Sequence, residues 1–365
     1  MTDKGLMRPG SPLPNRNAIR DLLRQFLAQD DHEDRFSWEK LTTENGLPHN
    51  WIYDLFQSQD GRIFVSTWGG GLLMIDGAAW RVFTTRDGLH SNAVTCIRED
   101  RQGRIWVGTD NGLNLFTEGT IHDGGLKGKS LLNLAVDQNN HLWVGCWRAA
   151  LSGGGLYRWD GSNWHAFTTQ HGMPGAEILK VFEDSSGKIW VGTYEYGLGA
   201  GLGCYDGRSW QNYSTKHGLV DDCVYSMFED PSGNMWFGTT GGVSIFDRKT
   251  WHTIRKADGL MDNRVYCMLI DRNKKMWFGT EGGVSRFDGK SWRSFTTKDG
   301  LVENLVRTIL ETKDGDLWFG AYPYQTGRGG ISIAKSDQQK SLVDRVLDLL
   351  PEPPKPGELP SGEET

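Results

Sequence analysis

One pentapeptide pattern occurs seven times in this chain and constrains its fold more than any other feature. IFVST (63–67) recurs as IWVGT (105–109), LWVGC (142–146), IWVGT (189–193), MWFGT (235–239), MWFGT (276–280) and LWFGA (317–321). The central aromatics, Phe64, Trp106, Trp143, Trp190, Trp236, Trp277 and Trp318, are spaced by 42, 37, 47, 46, 41 and 41 residues. Such a period lies in the range of four-stranded propeller blades. Around each copy the local chemistry predicts four short strands, here called A to D. In the sixth copy they are RVYCMLID (264–271), MWFGT, VSRFD (284–288) and SWRSFTT (291–297), separated by polar and glycine turns. Near-continuous apolar stretches such as MWF and IWV suit strands covered on both faces, as in blades stacked between neighbours.

A propeller must close its ring or leave an exposed edge. The seventh copy has only three strands and no W-x-x-F-T-T segment, whereas RFSWEKLTTENGL (35–47) matches KSWRSFTTKDGL (290–301). The start of the repeat region is therefore expected to supply the outer strand of the last blade, giving an all-β, seven-bladed propeller over 35–336. Blade 2 has only TEGTIHDGGLKG between LNLF (113–116) and KSLLNLAVD (129–137), with no outer tryptophan. A short fourth strand is expected there, leaving an edge for a partner strand; a loop crossing that edge is the other reading.

Outside the ring, residues 1–34 form an extension with an amphipathic helix at about 17–30, where Ile19, Leu22, Leu23, Phe26 and Leu27 share one face. Leu342, Val343, Val346, Leu347 and Leu350 do the same in a second helix over 337–350. The helices are expected to pair or dock on the propeller, with a handle for a partner protein as the alternative. The tail 351–365, rich in Pro and Glu, is expected to be disordered.

A net charge of −6 argues against nucleic acid or an anionic membrane as partner. No apolar run approaches the roughly 18 residues that a spanning helix needs, and the N-terminus lacks a signal-type apolar core, so the cytoplasm is the default expectation, or the periplasm if a leader has been removed. The five cysteines are scattered without a C-x-x-C pair and read as small buried hydrophobes. Neither a metal site nor a cofactor is expected.

The succession D-G-L-x-x-N, V-x-x-I/M-x-x-D, G-x-I-W-V-G-T, G-G-V/L, F-D-G, W and F-T-T, over about 36–335, resembles the two-component regulator propeller repeat. That resemblance implies the same fold and a sensor role, usually in the extracytoplasmic half of hybrid kinases and often toward oligosaccharides. No kinase or membrane segment is read in this chain, so the expectation is a stand-alone, non-catalytic recognition module.

Antiparallel order puts the B–C loops and the DGL loops on one face. Most B–C loops are minimal, but blade 3 has CWRAALSGGG (146–155), blade 4 TYEYGLGAG (193–201) and blade 7 AYPYQTGRGG (321–330). A scaffold does not need these insertions. Their Trp147, Arg148, Tyr194, Glu195, Tyr196, Tyr322, Tyr324 and Arg328, with Trp68 of the first B–C loop, are the candidate binding residues, being of the types enriched at binding hot spots. The other reading is that the loops plug the channel. The strand-B aromatics and the outer tryptophans Trp38, Trp80, Trp164, Trp210, Trp251 and Trp292 are read as packing, and the DGL aspartates Asp87, Asp258 and Asp299 as turn formers. His171 and His217 take the same turn slot. Three ligand classes stay open: a protein partner, an oligosaccharide or other small ligand, and the substrate of a metal-assisted lyase, since propeller lyases use a histidine with acidic partners. His49 and His90 are the histidines that face the right way for such chemistry.

Overall fold

The computed structural model describes residues 36–147, 154–195, 197–322 and 327–336. Among them, 28 strands form seven antiparallel four-stranded sheets. Blade 1 comprises Ile52–Gln57, Ile63–Thr67, Gly71–Asp76 and Ala79–Phe83, paired in that order. The next five blades repeat the plan. Blade 7 takes strands A to C from Val306–Glu311, Leu317–Ala321 and Ile331–Ser336, and strand D from Phe36–Leu41. Trp38 pairs with Ala334 and Trp318 with Ile333, so the chain's early strand completes the sheet that holds the last repeat. The expected closure is confirmed. The two expected helices and the tail lie outside the described residues.

The core sits between blades. Seven buried clusters occupy the seven blade interfaces; one joins Trp236, Val243, Ile245 and Ile254 of blade 5 to Leu260, Val265, Met276 and Phe278 of blade 6. The cluster between blades 6 and 7 also receives Phe36 and Trp38. Strand B of each blade is covered on both faces, which accounts for its unbroken apolar run. Each such buried Leu, Ile, Val or Phe contributes about 1.5–3 kcal/mol relative to exposure.

A second device recurs at the A–B turns. Asp100, Asp137, Asp184, Asp230 and Asp271 accept backbone N–H groups of their own turn, as from Gln102 N to Asp100 Oδ1 at 3.0 Å. Their other oxygen accepts the strand-B indole Nε1 at 2.8–2.9 Å. The buried indole and the turn thereby satisfy each other. The DGL turns work as expected: Asp87 accepts from Thr84 N at 2.9 Å and Asp299 from Thr296 N at 2.8 Å. His171 and His217 replace the aspartate by accepting Thr168 N and Ser214 N at Nδ1.

Blade 2 corrects the expectation drawn from its missing tryptophan. Its fourth strand, Thr120–Gly125, pairs with Gly112–Thr117 from Thr120 to Gly125 with one register shift at Gly124, and Ile121, itself buried, takes the position of the outer indole. The residues saved are in the connection to blade 3, where only Leu126–Lys129 separate the two strands. The third strand is covered, so the reason for an unusual edge there is gone.

Candidate functional site

Every strand A carries a β-bulge at the same point. The register shifts across Tyr53, Thr95, Leu132, Leu179, Tyr225, Tyr266 and Arg307, one in each blade. A bulge places two residues opposite one and sharpens the local twist. The residue after it faces the glycine of the W-x-G-T motif: Cys96 pairs with Gly108, Ser226 with Gly238, Cys267 with Gly279. A Cβ on those glycines would lie 2.4, 2.2 and 2.3 Å from the Cys96, Ser226 and Cys267 side-chain atoms, so the glycine clears room for the inner strand.

Six of the seven bulge residues, all but Thr95, line a cavity of about 420 Å³ at the channel mouth, with Trp147, Tyr194, Leu305 and Tyr322. Arg264 and Glu281 also line it and pair at 2.7 Å. The rings of Tyr225 and Tyr266 are 5.1 Å apart, and those of Tyr53 and Tyr322 meet edge-to-face at 5.3 Å. Arg307 lies 4.5 Å over the Tyr53 ring and 5.7 Å over that of Tyr322. Burial holds the Tyr225 and Tyr266 hydroxyls above the ordinary tyrosine range, so the mouth offers neutral O–H groups.

Beneath it a second cavity of about 350 Å³ continues down the channel, lined by the next residue of each strand A, including Asp54, Asn133, Lys180 and Ser226, and by Arg98. Asp54 accepts from Arg98 Nη1 at 2.8 Å and from Ile97 N at 3.0 Å. Desolvation lowers the Lys180 pKa to about 8. Burial pushes the Cys96 and Cys267 thiols up to about 12, which removes them as nucleophiles.

Of the residues chosen from sequence, Trp147, Tyr194 and Tyr322 line the mouth cavity from opposite sides of the ring. Trp68 stacks on Tyr53 at 5.0 Å beside it. Glu195 and Arg328 do not line it, and Arg148, Tyr196 and Tyr324 lie outside the described residues. The blade 4 insertion extends strands B and C as a hairpin, pairing out to Glu195 and Leu198. Leu198 near its tip is 73% exposed. Sequence reading missed the bulge residues: the position reads Y, T, L, L, Y, Y and R over the seven repeats, and no one residue type marks it.

His49 accepts Trp51 N at Nδ1, and His90 Nε2 lies 3.4 Å from Asp123. Among the described residues no group of three His, Cys, Asp or Glu is placed to hold a metal ion, and no helix is long and apolar enough to cross a membrane.

The fold and its ring-lined mouth define a seven-bladed propeller. Residues 46–69, 88–111, 172–195, 218–241, 259–282 and 300–322 match the family described as two component regulator propeller. The chain belongs to that family. The repeat left unmatched is blade 3, the one entered through the shortened connection. No curated protein is matched by this sequence. Among solved structures it is similar to the extracellular domain of the hybrid two-component system BT3049 of B. thetaiotaomicron, with 18% identity and a TM-score of 0.69, covering 82% of this chain and 41% of that one. The extracellular domain of BT4673 from the same organism gives 20%, 0.66, 82% and 39%. Virginiamycin B lyase from Staphylococcus aureus gives 12%, 0.58, 83% and 99%. The chain thus spans about two fifths of the two extracellular domains, and at these identities the likeness is one of fold.

Proposed function

We propose that the chain is a non-catalytic recognition module whose ligand enters the mouth of the central channel on the B–C face. The observation that carries this reading is the convergence of six bulge side chains with Trp147, Tyr194 and Tyr322 on one cavity of about 420 Å³, a volume suited to a small molecule or the end of a chain. Aromatic faces supply contact area at low entropic cost, and Arg264, Glu281 and Arg307 supply directional polar contacts. Membership of the two component regulator propeller family and likeness to extracellular domains of two such regulatory systems support a sensing role, and an extracytoplasmic location over a cytoplasmic one. The same ring faces favour an oligosaccharide as a second reading. A protein partner docking on the hairpin tip at Leu198 is a third.

The test is a triple variant, Trp147→Ala, Tyr194→Ala and Tyr322→Ala, screened with the parent chain against an oligosaccharide array and a small-molecule thermal-shift library. Ligands of the parent are expected to lose binding while the melting temperature moves by only a few degrees. A collapse of stability without loss of binding per folded molecule would assign these side chains to a channel plug.

A further inference from the structure

The lower layer of the channel contains more positive than negative charge and several donors without acceptors. Arg98, Lys180 and Arg307 line it, with Asp54 as the carboxylate among the lining residues. Arg98 takes up Asp54. Arg307 rests on the Tyr53 and Tyr322 rings and forms no ion pair among the described residues. Lys180 forms neither an ion pair nor a hydrogen bond among them, and Asp54, its nearest counter-charge, is already engaged. Asn133, which lines the same cavity, uses its carbonyl oxygen to accept Val181 N at 2.9 Å, which leaves its amide group as a donor. A desolvated cation with no counter-charge of its own is costly unless something of opposite character fills the space beside it.

We propose that this lower layer binds the oxyanion head group of a ligand, held by Lys180 and Asn133, while the ligand's ring or apolar body lies among the tyrosines of the mouth above. The proposal rests on the reading of the mouth as the entry site and specifies the chemistry taken there: a carboxylate, sulfate or phosphoryl group carried on a flat or apolar body. Bound there, the anion accepts hydrogen bonds from Lys180 and Asn133 and neutralises Lys180, whose pKa, lowered to about 8 by desolvation, rises toward the ordinary value.

The test is isothermal titration of the full chain, at constant ionic strength and in low-chloride buffer, with benzoate, benzyl alcohol, acetate and inorganic phosphate. Benzoate is expected to saturate and to bind at least about tenfold more tightly than benzyl alcohol, with Lys180→Met removing that advantage while leaving benzyl alcohol unaffected. A second measurement needs no variant: titration at pH 8 in buffers of different ionisation heat is expected to show proton uptake with the anion, fading by pH 6. Equal affinity for benzoate and benzyl alcohol, or no proton uptake at pH 8, overturns the oxyanion site and leaves the aromatic mouth standing. Saturation by acetate or phosphate that Lys180→Met abolishes, with no binding of either ring compound, supports the oxyanion site and overturns the mouth. No saturation by any of the three anions up to tens of millimolar overturns the proposal outright.

Discussion

Trp318 differs from the five strand-B indoles tethered by aspartate: Thr312 stands in the aspartate's place, and the Trp318 Nε1 is buried without a partner. The recurring tether is therefore a local choice that one substitution can add or remove. Thr312→Asp is expected to stabilise the protein by about 1 kcal/mol, the net worth of a buried hydrogen bond, whereas Asp230→Ala, which orphans the Trp236 indole and two turn amides, is expected to cost about 2–3 kcal/mol. Urea denaturation of both variants checks the pair of signs. Lys180 carries the second expectation at this scale. Burial holds its folded-state pKa near 8 against the ordinary 10.5, so unfolding takes up a proton between those values and stability rises with pH across the window. In anion-poor buffer, Lys180→Met is expected to gain on the order of 1–3 kcal/mol at pH 7 and to lose that gain by pH 10.5. Denaturation midpoints at the two pH values measure it; a gain that persists at pH 10.5 would trace to packing.

At the scale of elements, the strands, their order and their turns were legible because each repeat writes them in local chemistry: alternation in strand A, an apolar run in strand B, glycine at the turns. Blade 2 was misread because the outer tryptophan served as the marker of strand D. The strand forms through backbone pairing, with Ile121 in the indole's place, and no count of tryptophans reports that. The blade 4 insertion was read as a loop, yet Tyr194 and Gly199 pair and carry the hairpin outward. The DGL glycines join one repeat to the next. Gly300 has φ +132°, and a Cβ there would lie 2.2 Å from the Trp38 ring, whereas a Cβ on Gly282 would meet its nearest neighbour at 3.3 Å. Gly300→Ala is expected to cost about 3 kcal/mol or more and Gly282→Ala less than half of that, by calorimetry.

For the whole molecule, stability depends on closing the ring. Phe36 and Trp38 of the closing strand meet Phe295 across the blade 6 interface at 5.9 Å each, and Trp38 meets Phe319 at 5.8 Å within blade 7. The double substitution Phe36→Ala, Trp38→Ala is expected to cost about 4–7 kcal/mol, while Trp80→Ala, at an indole 40% exposed, costs about 1 kcal/mol. Chemical denaturation followed by fluorescence compares them, and a similar cost for both would show the ring indifferent to closure. The number of blades, the shared B–C face and the early strand that completes the last sheet followed from the amino-acid order alone, because each is a property of the repeat and of its phase at the two ends. The lining of the channel did not. Tyr53, Lys180, Tyr225 and Arg307 lie far apart in the chain, and only seven bulged strands arranged about one axis bring them together. A charge or ring then acquires its neighbours from other blades, and a pattern read along one strand carries no information about them.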